Sequence, residues 1–346
     1  MSLSYNFYEQ NFRKEAANLG YSEQSINSCL NYAKPLIQRE LPIIYNTTHL
    51  SALVGYKKDY LKKAAINTEY YYRKFKVKKL NGNLREISEP LPSLKEIQKW
   101  ILTEILSNVK VSVFAKAYRP NTPLRENLKY HVGQPIVCTI DIKDFFPSID
   151  LISVEKIFME LGYSKILSNL LAKLCTLNNS LPQGAPTSPY LSNLFFKPLD
   201  KIISDFCKDN KIKYTRYADD LTFSGDFDAD RLKKFVSKVL SEANLVTNPK
   251  KFRVMTQNMR QTVTGIVVNE KHQVSFSKRN KLRQTMYYIS TFGLENHKQH
   301  ENIRHENYLQ HLMGQVNFIL QLNPTDREFL KYKIQLIRLL KLSSKE

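Results

Sequence analysis

The stretch that decides the fold reads Ile212-Lys-Tyr-Thr-Arg-Tyr217-Ala218-Asp219-Asp220-Leu-Thr-Phe-Ser224. Apolar, aromatic and β-branched residues on both sides of the acidic pair predict two strands, Ile212 to Tyr217 and Leu221 to Ser224. Adjacent aspartates between two strands do not favour folding, because two like charges then lie within a few ångströms of each other. An isolated Asp-Asp pair is most often a solvated turn, so other segments must decide what this pair does.

The apolar run 136–140 leads into a second acidic segment, which reads Thr139-Ile-Asp141-Ile-Lys-Asp144-Phe-Phe146. That run predicts a buried strand, which would deliver Asp141 to the rim of a sheet. Carboxylate oxygens suit Mg²⁺, which proteins usually hold through one or two carboxylates together with substrate phosphates. Three carboxylates from two strands can hold two ions roughly 3.5–4 Å apart, an arrangement that activates a 3′-hydroxyl and stabilises leaving pyrophosphate.

The charge balance indicates a polyanionic partner. The 346 residues include 52 Lys and Arg against 32 Asp and Glu, a formal net charge of +20. Such a surplus repels itself and is typical of proteins that bind nucleic acid or an anionic membrane. No apolar run approaches the ~18 residues of a membrane span, and the first twenty residues are too charged for a secretory signal. Nucleic acid is therefore the expected partner, with no membrane.

The cysteines indicate a reducing compartment. Cys29, Cys138, Cys175 and Cys207 lie far apart and form no Cys-x-x-Cys pair. Their spacing does not fit a zinc ribbon or a redox motif. Reduced thiols and a cytoplasmic location are the simplest expectation.

A basic and aromatic segment runs from Lys57 to Arg85, with ten Lys or Arg, two acids, three consecutive tyrosines from Tyr70 and Phe75. Such a mixture suits a surface on which cations meet phosphates and rings stack on bases. The alternative is a solvated strand pair whose tyrosines pack inward. In either case Tyr72 to Val77, Asn81-Gly82 and Leu84 to Ile87 predict a β-hairpin.

The remaining chain predicts helices, and the whole an α+β protein. Residues 1–66 and those from Ser277 onward are helical in pattern. Ser93 with Glu96, and Thr325 with Glu328, predict capping boxes at two helix starts. The predicted apolar faces of these two helices are Leu94, Ile97, Ile101, Leu102 and Ile105 in the first, and Phe329, Leu330, Ile334, Ile337 and Leu340 in the second.

Three segments carry a family resemblance. Tyr217-Ala218-Asp219-Asp220 resembles the catalytic box of reverse transcriptases, and Asp141-Ile-Lys-Asp144-Phe-Phe-Pro-Ser-Ile resembles their first palm motif. Leu181-Pro-Gln183-Gly184-Ala-Pro-Thr-Ser188-Pro189 is similar to the glycine-containing motif between the two, and Ser188-Pro189 has the pattern of a helix start. Order and spacing match over roughly residues 72–270.

The resemblance implies a right-hand polymerase fold. Its expected parts are an N-terminal helical region at 1–66, fingers at 67–135, a palm of antiparallel sheet and helices at 136–275, and a helical thumb at 276–346. A fingers insertion is expected within the palm at about 151–180.

The resemblance also assigns roles to residues. Asp141, Asp219 and Asp220 are implied to be catalytic and to hold two Mg²⁺ ions. The residues implied to bind the incoming dNTP are Arg85, Ile142, Asp144, Phe145, Phe146, Gln183, Gly184 and Lys251. Arg85 would grip the triphosphate, for which a bidentate guanidinium is suited. Lys251 would be a general acid for pyrophosphate, the alternative being an ordinary surface lysine.

Phe146 occupies the position of the family's steric gate, a bulky ring that excludes a ribose 2′-hydroxyl. This implies use of dNTPs and a DNA product. The alternative is ordinary core packing beside Phe145.

Three further segments resemble the bacterial retron enzymes. Val263-Thr264-Gly265 resembles their VTG signature, and Asn127-Leu128-Lys-Tyr-His131 their NAxxH box, with Leu128 where alanine is expected. Leu312-Met-Gly-Gln-Val-Asn-Phe-Ile319 looks like their thumb helix. The implied RNA-binding residues are Asn127, His131, Val263, Thr264 and Gly265.

A retron-type enzyme is expected to bind a cognate structured non-coding RNA of the msr-msd type and to copy part of it into branched, RNA-linked single-stranded DNA (msDNA). The implied partners are that RNA, its DNA product, dNTPs, a separate effector protein in anti-phage defence, and a host ribonuclease H. The last is expected because about seventy-five residues after the palm are too few for a thumb plus such a domain. The alternatives are another defence-associated or group II intron-like reverse transcriptase, or an RNA-binding scaffold that restrains a toxic effector.

Overall fold

The structure, a computed structural model, describes residues 5–78, 82, 84–304 and 306–343. The chain divides into two compact units. The first comprises Met1–Arg119, Ile142–Ile203 and Ser237–Thr247, and the second comprises Pro120–Asp141, Ser204–Val236 and Asn248–Glu346. Helices and antiparallel strands are both present, so the predicted α+β class is confirmed.

Helices form most of the described chain. They are α1 (Tyr5–Asn18), α2 (Glu23–Gln38), α3 (Thr47–Val54), α4 (Lys58–Ile66), α5 (Pro92–Trp100), α6 (Arg125–Leu128), α7 (Leu151–Glu160), α8 (Lys165–Cys175), α9 (Ser188–Asp209), α10 (Ala229–Glu242), α11 (Phe276–Phe292), α12 (Leu294–His300), α13 (Tyr308–Leu322) and α14 (Arg327–Ser343). In the part of the chain that is described, none of these helices is both long enough and apolar enough to span a bilayer.

The strands are β1 (Tyr72–Lys78), β2 (Leu84–Pro90), β3 (Ile136–Asp141), β4 (Lys213–Tyr217), β5 (Asp220–Gly225), β6 (Arg253–Thr256), β7 (Thr262–Val263) and β8 (Ile266–Val267). They form a four-stranded sheet in the order β4-β5-β3-β6 and two separate hairpins, β1-β2 and β7-β8. All pairings in the four-stranded sheet are antiparallel. The strands predicted from 136–140, 212–217 and 221–224 are confirmed.

The basic hairpin in the first unit is confirmed. Strand β1 pairs with β2 from Tyr72 opposite Pro90 to Lys78 opposite Leu84, while Asn81 of the predicted turn lies outside the described residues. Tyr72 is buried, and its hydroxyl accepts a 2.7 Å hydrogen bond from Nε2 of Gln98. The rest of β1 is exposed. The hairpin is therefore anchored at one end and presents its cations to solvent.

Both predicted capping boxes are wrong. Helix α5 begins at Pro92 after Leu91, which makes no side-chain cap, and Ser93 is already inside the helix. Proline at the first helical position explains this start, because its fixed φ suits the helix and its missing N–H needs no partner. At α14 the side chain of Asp326 accepts from the Phe329 N–H, so Asp326 caps the helix and Thr325 does not.

The predicted start of α9 needs one correction. The helix begins at Ser188, but the Ser188 hydroxyl is buried and has no hydrogen-bond partner in the described structure. Ser188 therefore lies at the helix start without capping it by its side chain.

One hydrophobic cluster in the second unit joins the sheet to the C-terminal helices. It includes Val137 of β3, Met255 of β6, Leu282 of α11, Val316 of α13 and Phe329 of α14. Burial of this shared core stabilises the sheet and the helices together. The helical pattern predicted from Ser277 onward is confirmed.

The apolar face predicted for α14 is confirmed at Phe329 and at Leu340, which packs against the core cluster, and is wrong at Leu330, Ile334 and Ile337. Phe329 and Leu336 are fully buried, whereas Leu330, Ile334 and Ile337 are 40%, 53% and 38% exposed. The buried side of the helix is set by Asp326 and Glu328, because these acids pair with arginines of α11. Arg279 Nη1 lies 2.7 Å from Asp326 Oδ2, and Arg283 binds Glu328 through Nε and Nη2.

Replacing Asp326 with Asn should destabilise the second unit by roughly 1–2 kcal/mol, because the buried Arg279 guanidinium loses the nearer of its two carboxylate partners and keeps only Glu328, at 3.4 Å, and a neutral acceptor. Burial opposes ionisation of Asp326, but the hydrogen bond and charge of Arg279 dominate and lower its pKa. The pair therefore contributes stability above the carboxyl's ordinary pKa of 3.8, and this contribution is lost as pH falls through the lower folded value. Thermal melts at pH 7 and pH 3 test this: the difference between variant and wild type should shrink at pH 3. An equal difference at both values would contradict it.

Candidate active site

The turn between β4 and β5 carries the acidic pair. Tyr217 and Asp220 are paired across the hairpin, so Ala218 and Asp219 form its two-residue loop. Ala218 has φ +58°, a left-handed conformation that two-residue hairpins require and that costs a non-glycine residue energy. The fully buried Arg216 donates from Nη1 to the Ala218 carbonyl at 3.1 Å. This contact supports the strained turn from within the protein.

Strand pairing brings two of the predicted catalytic carboxylates together. Asp141 at the end of β3 lies directly opposite Asp220 at the start of β5. Opposed residues in an antiparallel pair have Cβ atoms ~4.5–5.5 Å apart on the same face. Asp219 follows in the adjoining turn. The register of one sheet thus gathers Asp141, Asp219 and Asp220.

Asp141 is held by the segment before β6. Lys251 Nζ lies 2.7 Å from Asp141 Oδ2, and Asn248 Nδ2 donates to Oδ1 at 3.3 Å. The Asn248 backbone N–H donates to the Asp141 carbonyl at 2.8 Å. Asn248 was not among the predicted site residues, although an Asn-Pro pair whose Asn lies three residues before a candidate lysine indicates a turn that would position the lysine.

The charges at this edge of the sheet are strongly coupled. Burial, followed by the charges of Asp219 and Asp141, raises the pKa of Asp220 to about 7, although the Lys251 ammonium acts to lower it. Burial opposes the charged form of Lys251, but the hydrogen bond and charge of Asp141 dominate and raise the Lys251 pKa. Near neutral pH the three carboxylates repel one another, and the lysine offsets only part of that repulsion.

These donors fit a divalent cation chemically. They are hard oxygen ligands, and their mutual repulsion is the interaction that a cation would relieve. Within the described ranges, no three His, Cys, Asp or Glu side chains are already arranged around one point. The structure shows an ion pair here, in which Lys251 holds Asp141 Oδ2.

The residues that follow Asp141 in the chain lie in the first unit. Ile142 and Phe145 are buried, with the Phe145 ring 5.9 Å from that of Phe196. Asp144 is exposed and has φ +47°. The Phe146 ring is half-buried, with its centroid 5.8 Å from Phe145 and 6.2 Å from Tyr118. Phe145 is thus a core residue, while Phe146 keeps an accessible side.

The loop before α9 is attached to strand β2. The Gln183 carbonyl accepts a 2.8 Å hydrogen bond from the Ser88 N–H. Gly184 has φ +133°, and a Cβ there would lie 2.7 Å from the Ser88 carbonyl oxygen and 2.9 Å from Ile87 Cγ2. Only glycine allows so close an approach of two backbones. The same strand carries the exposed Arg85, so three of the predicted dNTP-binding residues share one part of the first unit.

The five predicted RNA-binding residues separate into two groups in the second unit. Asn127 and His131 are fully buried and hydrogen bond to both strands of the β4-β5 hairpin, which carries Asp219 and Asp220 and is called the catalytic hairpin below. In this structure neither side chain has solvent-accessible surface through which it could contact an RNA. Thr264 and Gly265 form the two-residue turn between β7 and β8, with φ +46° and +80°. Val263 before them is buried, and Gly265 is exposed.

Comparison with known proteins supplies the family context. Residues 76–287 match the family described as reverse transcriptase (RNA-dependent DNA polymerase). The retron Ec86 reverse transcriptase of Escherichia coli is 31% identical over 292 residues, which cover 82% of this chain and 86% of that protein. The retron Mx65 reverse transcriptase of Myxococcus xanthus is 28% identical over 337 residues, covering 90% and 77%. Among solved structures, telomerase from Candida albicans with a fragment of telomeric RNA gives a TM-score of 0.45 at 10% identity, covering 77% of this chain and 56% of that one.

Proposed function

This chain belongs to the reverse transcriptase family, among the retron enzymes, and is an RNA-directed DNA polymerase with the right-hand fold; on that premise we propose that it copies part of a structured non-coding RNA into branched, RNA-linked single-stranded DNA. The likeness to retron enzymes over most of the chain supports this product. The observation that supports the site is the pairing of Asp141 with Asp220, with Lys251 Nζ at 2.7 Å from Asp141.

The catalytic roles follow from the chemistry of these groups. Asp141, Asp219 and Asp220 would hold two Mg²⁺ ions, which when bound favour ionisation of the primer hydroxyl and offset charge on the leaving pyrophosphate. The Lys251 side chain is 57% exposed and its ammonium lies beside Asp141, so it would give a proton to pyrophosphate. Asn248 would keep Asp141 in place through its backbone and side-chain hydrogen bonds.

The resemblance assigns the incoming nucleotide to Arg85, Ile142, Asp144, Phe145, Phe146, Gln183, Gly184 and Lys251, and we propose the same residues. Arg85 would bind the triphosphate from the exposed surface of β2. The backbone of Ile142, Asp144 and Phe145 would face the same phosphates. Gln183 and Gly184 would contact the nascent base pair, and the fixed connection between Gln183 and β2 supports their acting together with Arg85.

Replacing Phe146 with Val should raise incorporation of rNTPs relative to dNTPs by about tenfold or more, since a smaller side chain leaves room for a 2′-hydroxyl. Single-nucleotide extension of an annealed primer with dNTP and matching rNTP measures the ratio. Phe145→Leu is the control, because that ring is buried against Phe196. An unchanged ratio in the Phe146 variant would remove the gate role.

We further propose that the enzyme works in anti-phage defence with a separate effector protein, that a host ribonuclease H removes template RNA, and that the protein is cytoplasmic. The RNA would be recognised in part by the turn at Thr264-Gly265, next to Val263, where Gly265 is exposed. The protein's net charge of +20 supports a nucleic-acid partner of substantial size.

The nucleic acid that co-purifies with the protein tests this function. The expected result is one discrete species, sensitive to both RNase and DNase and containing a 2′–5′ branch. Pure RNA would indicate an RNA-binding scaffold instead. DNA linked to protein would indicate a different class of reverse transcriptase.

A further inference from the structure

A linear chain of buried hydrogen bonds connects Asn127 and His131 to both strands of the β4-β5 hairpin, and at its end the Asn127 Nδ2 atom is buried without a hydrogen-bond partner in the described structure. Thr215 Oγ1 on β4 donates to Asn127 Oδ1 at 2.8 Å. His131 Nε2 lies 2.8 Å from the same Thr215 oxygen, and His131 Nδ1 lies 2.7 Å from Ser224 Oγ on β5. All four side chains are at most 1% exposed.

The protons in this chain have a consistent order. The Thr215 hydroxyl has one proton and gives it to Asn127, so its contact with His131 requires an Nε2–H donor on the imidazole. Nδ1 of a neutral imidazole then accepts from the Ser224 hydroxyl at 2.7 Å, a shorter contact than the 3.5 Å from the same hydroxyl to the Tyr130 carbonyl. Burial lowers the pKa of His131 to about 3, which agrees with a neutral ring. His131 therefore links β4 to β5 without any charge.

The linked residues lie on the face of the sheet that carries the carboxylates. In the register, Asp220 is opposite Asp141 and Tyr217, and Thr222 is opposite Thr215. Side chains two residues apart in a strand share a face, so Asp220, Thr222 and Ser224 line one side, with Thr215 beside Thr222. The hydrogen-bonded chain thus begins about 7 Å, or two residues, along the strand from Asp220.

The hairpin needs such support because its turn is strained. Ala218 has a positive φ, and Asp219 and Asp220 repel each other and Asp141. Arg216 supports the turn on the opposite face of β4, since residues 215 and 216 point to opposite sides. The contacts of the His131 imidazole support β4 and β5 on the face of the sheet that carries the Asp220 side chain.

We propose that Asn127 and His131 are positioning residues for catalysis, which hold β4 and β5 in the geometry that presents Asp219 and Asp220. This rests on the proposed catalytic role of those aspartates. It assigns to the buried side chains of Asn127 and His131 a role in nucleotide addition to any primer–template, distinct from contact with a particular RNA. Substitution should lower kcat and leave the KM for dNTP nearly unchanged.

The first test compares Thr215→Val with Thr215→Ser, which differ in whether the hydroxyl is kept. With a generic RNA template and DNA primer, Thr215→Val should lower kcat about tenfold to a hundredfold, since small displacements of reacting groups have effects of this size. Thr215→Ser should retain most of the activity. Equal losses in the two variants would overturn the proposal.

The second test changes the imidazole. His131→Phe should lower kcat to a similar degree, and His131→Gln, which keeps one donor and one acceptor, should recover part of it. Hydrogen exchange at the amides of 213–225 should accelerate in His131→Phe, while the amides of 308–322 keep their rates. This measurement does not depend on activity, so it tests the support of the hairpin even if the aspartates had another role.

Gln261→Leu is the matched control. Gln261 is also fully buried in the second unit, and its amide donates to the carbonyls of Gln134 and Met255, away from the catalytic hairpin. At an equal decrease in Tm, this variant should keep its kcat. A comparable loss of kcat would show that any lost buried hydrogen bond is sufficient. Loss of affinity for the cognate RNA with unchanged kcat on the generic substrate would also overturn the proposal.

Discussion

Replacing Asp220 with Asn is expected to lower dNTP incorporation by about a thousandfold or more. The carboxylate lies opposite Asp141, and an amide there removes one anionic ligand from the proposed cation site. Loss of several kcal/mol of stabilisation in the transition state corresponds to a decrease of this size, since each 1.36 kcal/mol is a factor of ten. Extension of a labelled primer on an RNA template measures it.

The same substitution should stabilise the folded protein at pH 8 when no divalent cation is present. A pKa of about 7 for Asp220, far above the ordinary 3.8, means that the folded state holds the proton more tightly than the unfolded state. Stability therefore falls as pH rises from about 4 to 7, and the wild type remains destabilised above that range. Asn is uncharged and avoids this loss, so Tm should rise by a few degrees at pH 8 and hardly change at pH 4.

Two controls make this pair of effects specific. Asp226→Asn removes an exposed acid just after β5 and should change neither activity nor Tm. Adding Mg²⁺ at pH 8 should raise the Tm of the wild type more than that of Asp220→Asn, because ligand binding to the folded state stabilises it. Substantial activity in Asp220→Asn would show that Asp220 is not required for the chemistry. A lower Tm at pH 8 would show that carboxylate repulsion is not the dominant energy.

Replacing Gly184 with Ala is expected to destabilise the protein by roughly 3 kcal/mol and to lower incorporation at least about tenfold. The new Cβ would lie 2.7 Å from the Ser88 carbonyl oxygen, and φ +133° is strained for alanine. The two effects add, because overpacking and a forced backbone conformation each cost about 1–3 kcal/mol. To relieve the clash, the loop must move away from β2. This movement lengthens the hydrogen bond from the Ser88 N–H to the Gln183 carbonyl.

Gly55→Ala separates the clash from the backbone strain. Gly55 ends α3 with φ +74°, and a Cβ there meets nothing within 4 Å. This control should cost only about 1 kcal/mol and should leave incorporation unchanged. Thermal melts and primer extension on both variants measure the difference. If the two glycine variants behaved alike, the contact between the loop and β2 would have no special importance.

Short-range patterns predicted most of the sheet. The apolar run before Asp141 and the alternating residues around Tyr217 to Asp220 specify strands from local composition alone, and the structure confirms them. The helix caps were less predictable. Ser93 and Thr325 satisfy a capping pattern, but Pro92 and Asp326 begin the helices, because one fixed φ and one ion pair with Arg279 stabilise other starts. Such competition depends on neighbours that a local pattern does not include.

The amino-acid sequence by itself determined which residues are proposed to carry the chemistry of this protein. Aspartates that follow apolar runs, a glycine-containing motif and a net charge of +20 are features of composition and spacing. They are visible in the sequence before the fold is known. Only the tertiary structure decided which of these residues meet. Strand register places Asp141 opposite Asp220, and packing buries His131 between Thr215 and Ser224, residues 84 and 93 positions away along the chain. Burial and pairing at such separations arise from the summed packing of many elements, and no local stretch of sequence contains that information.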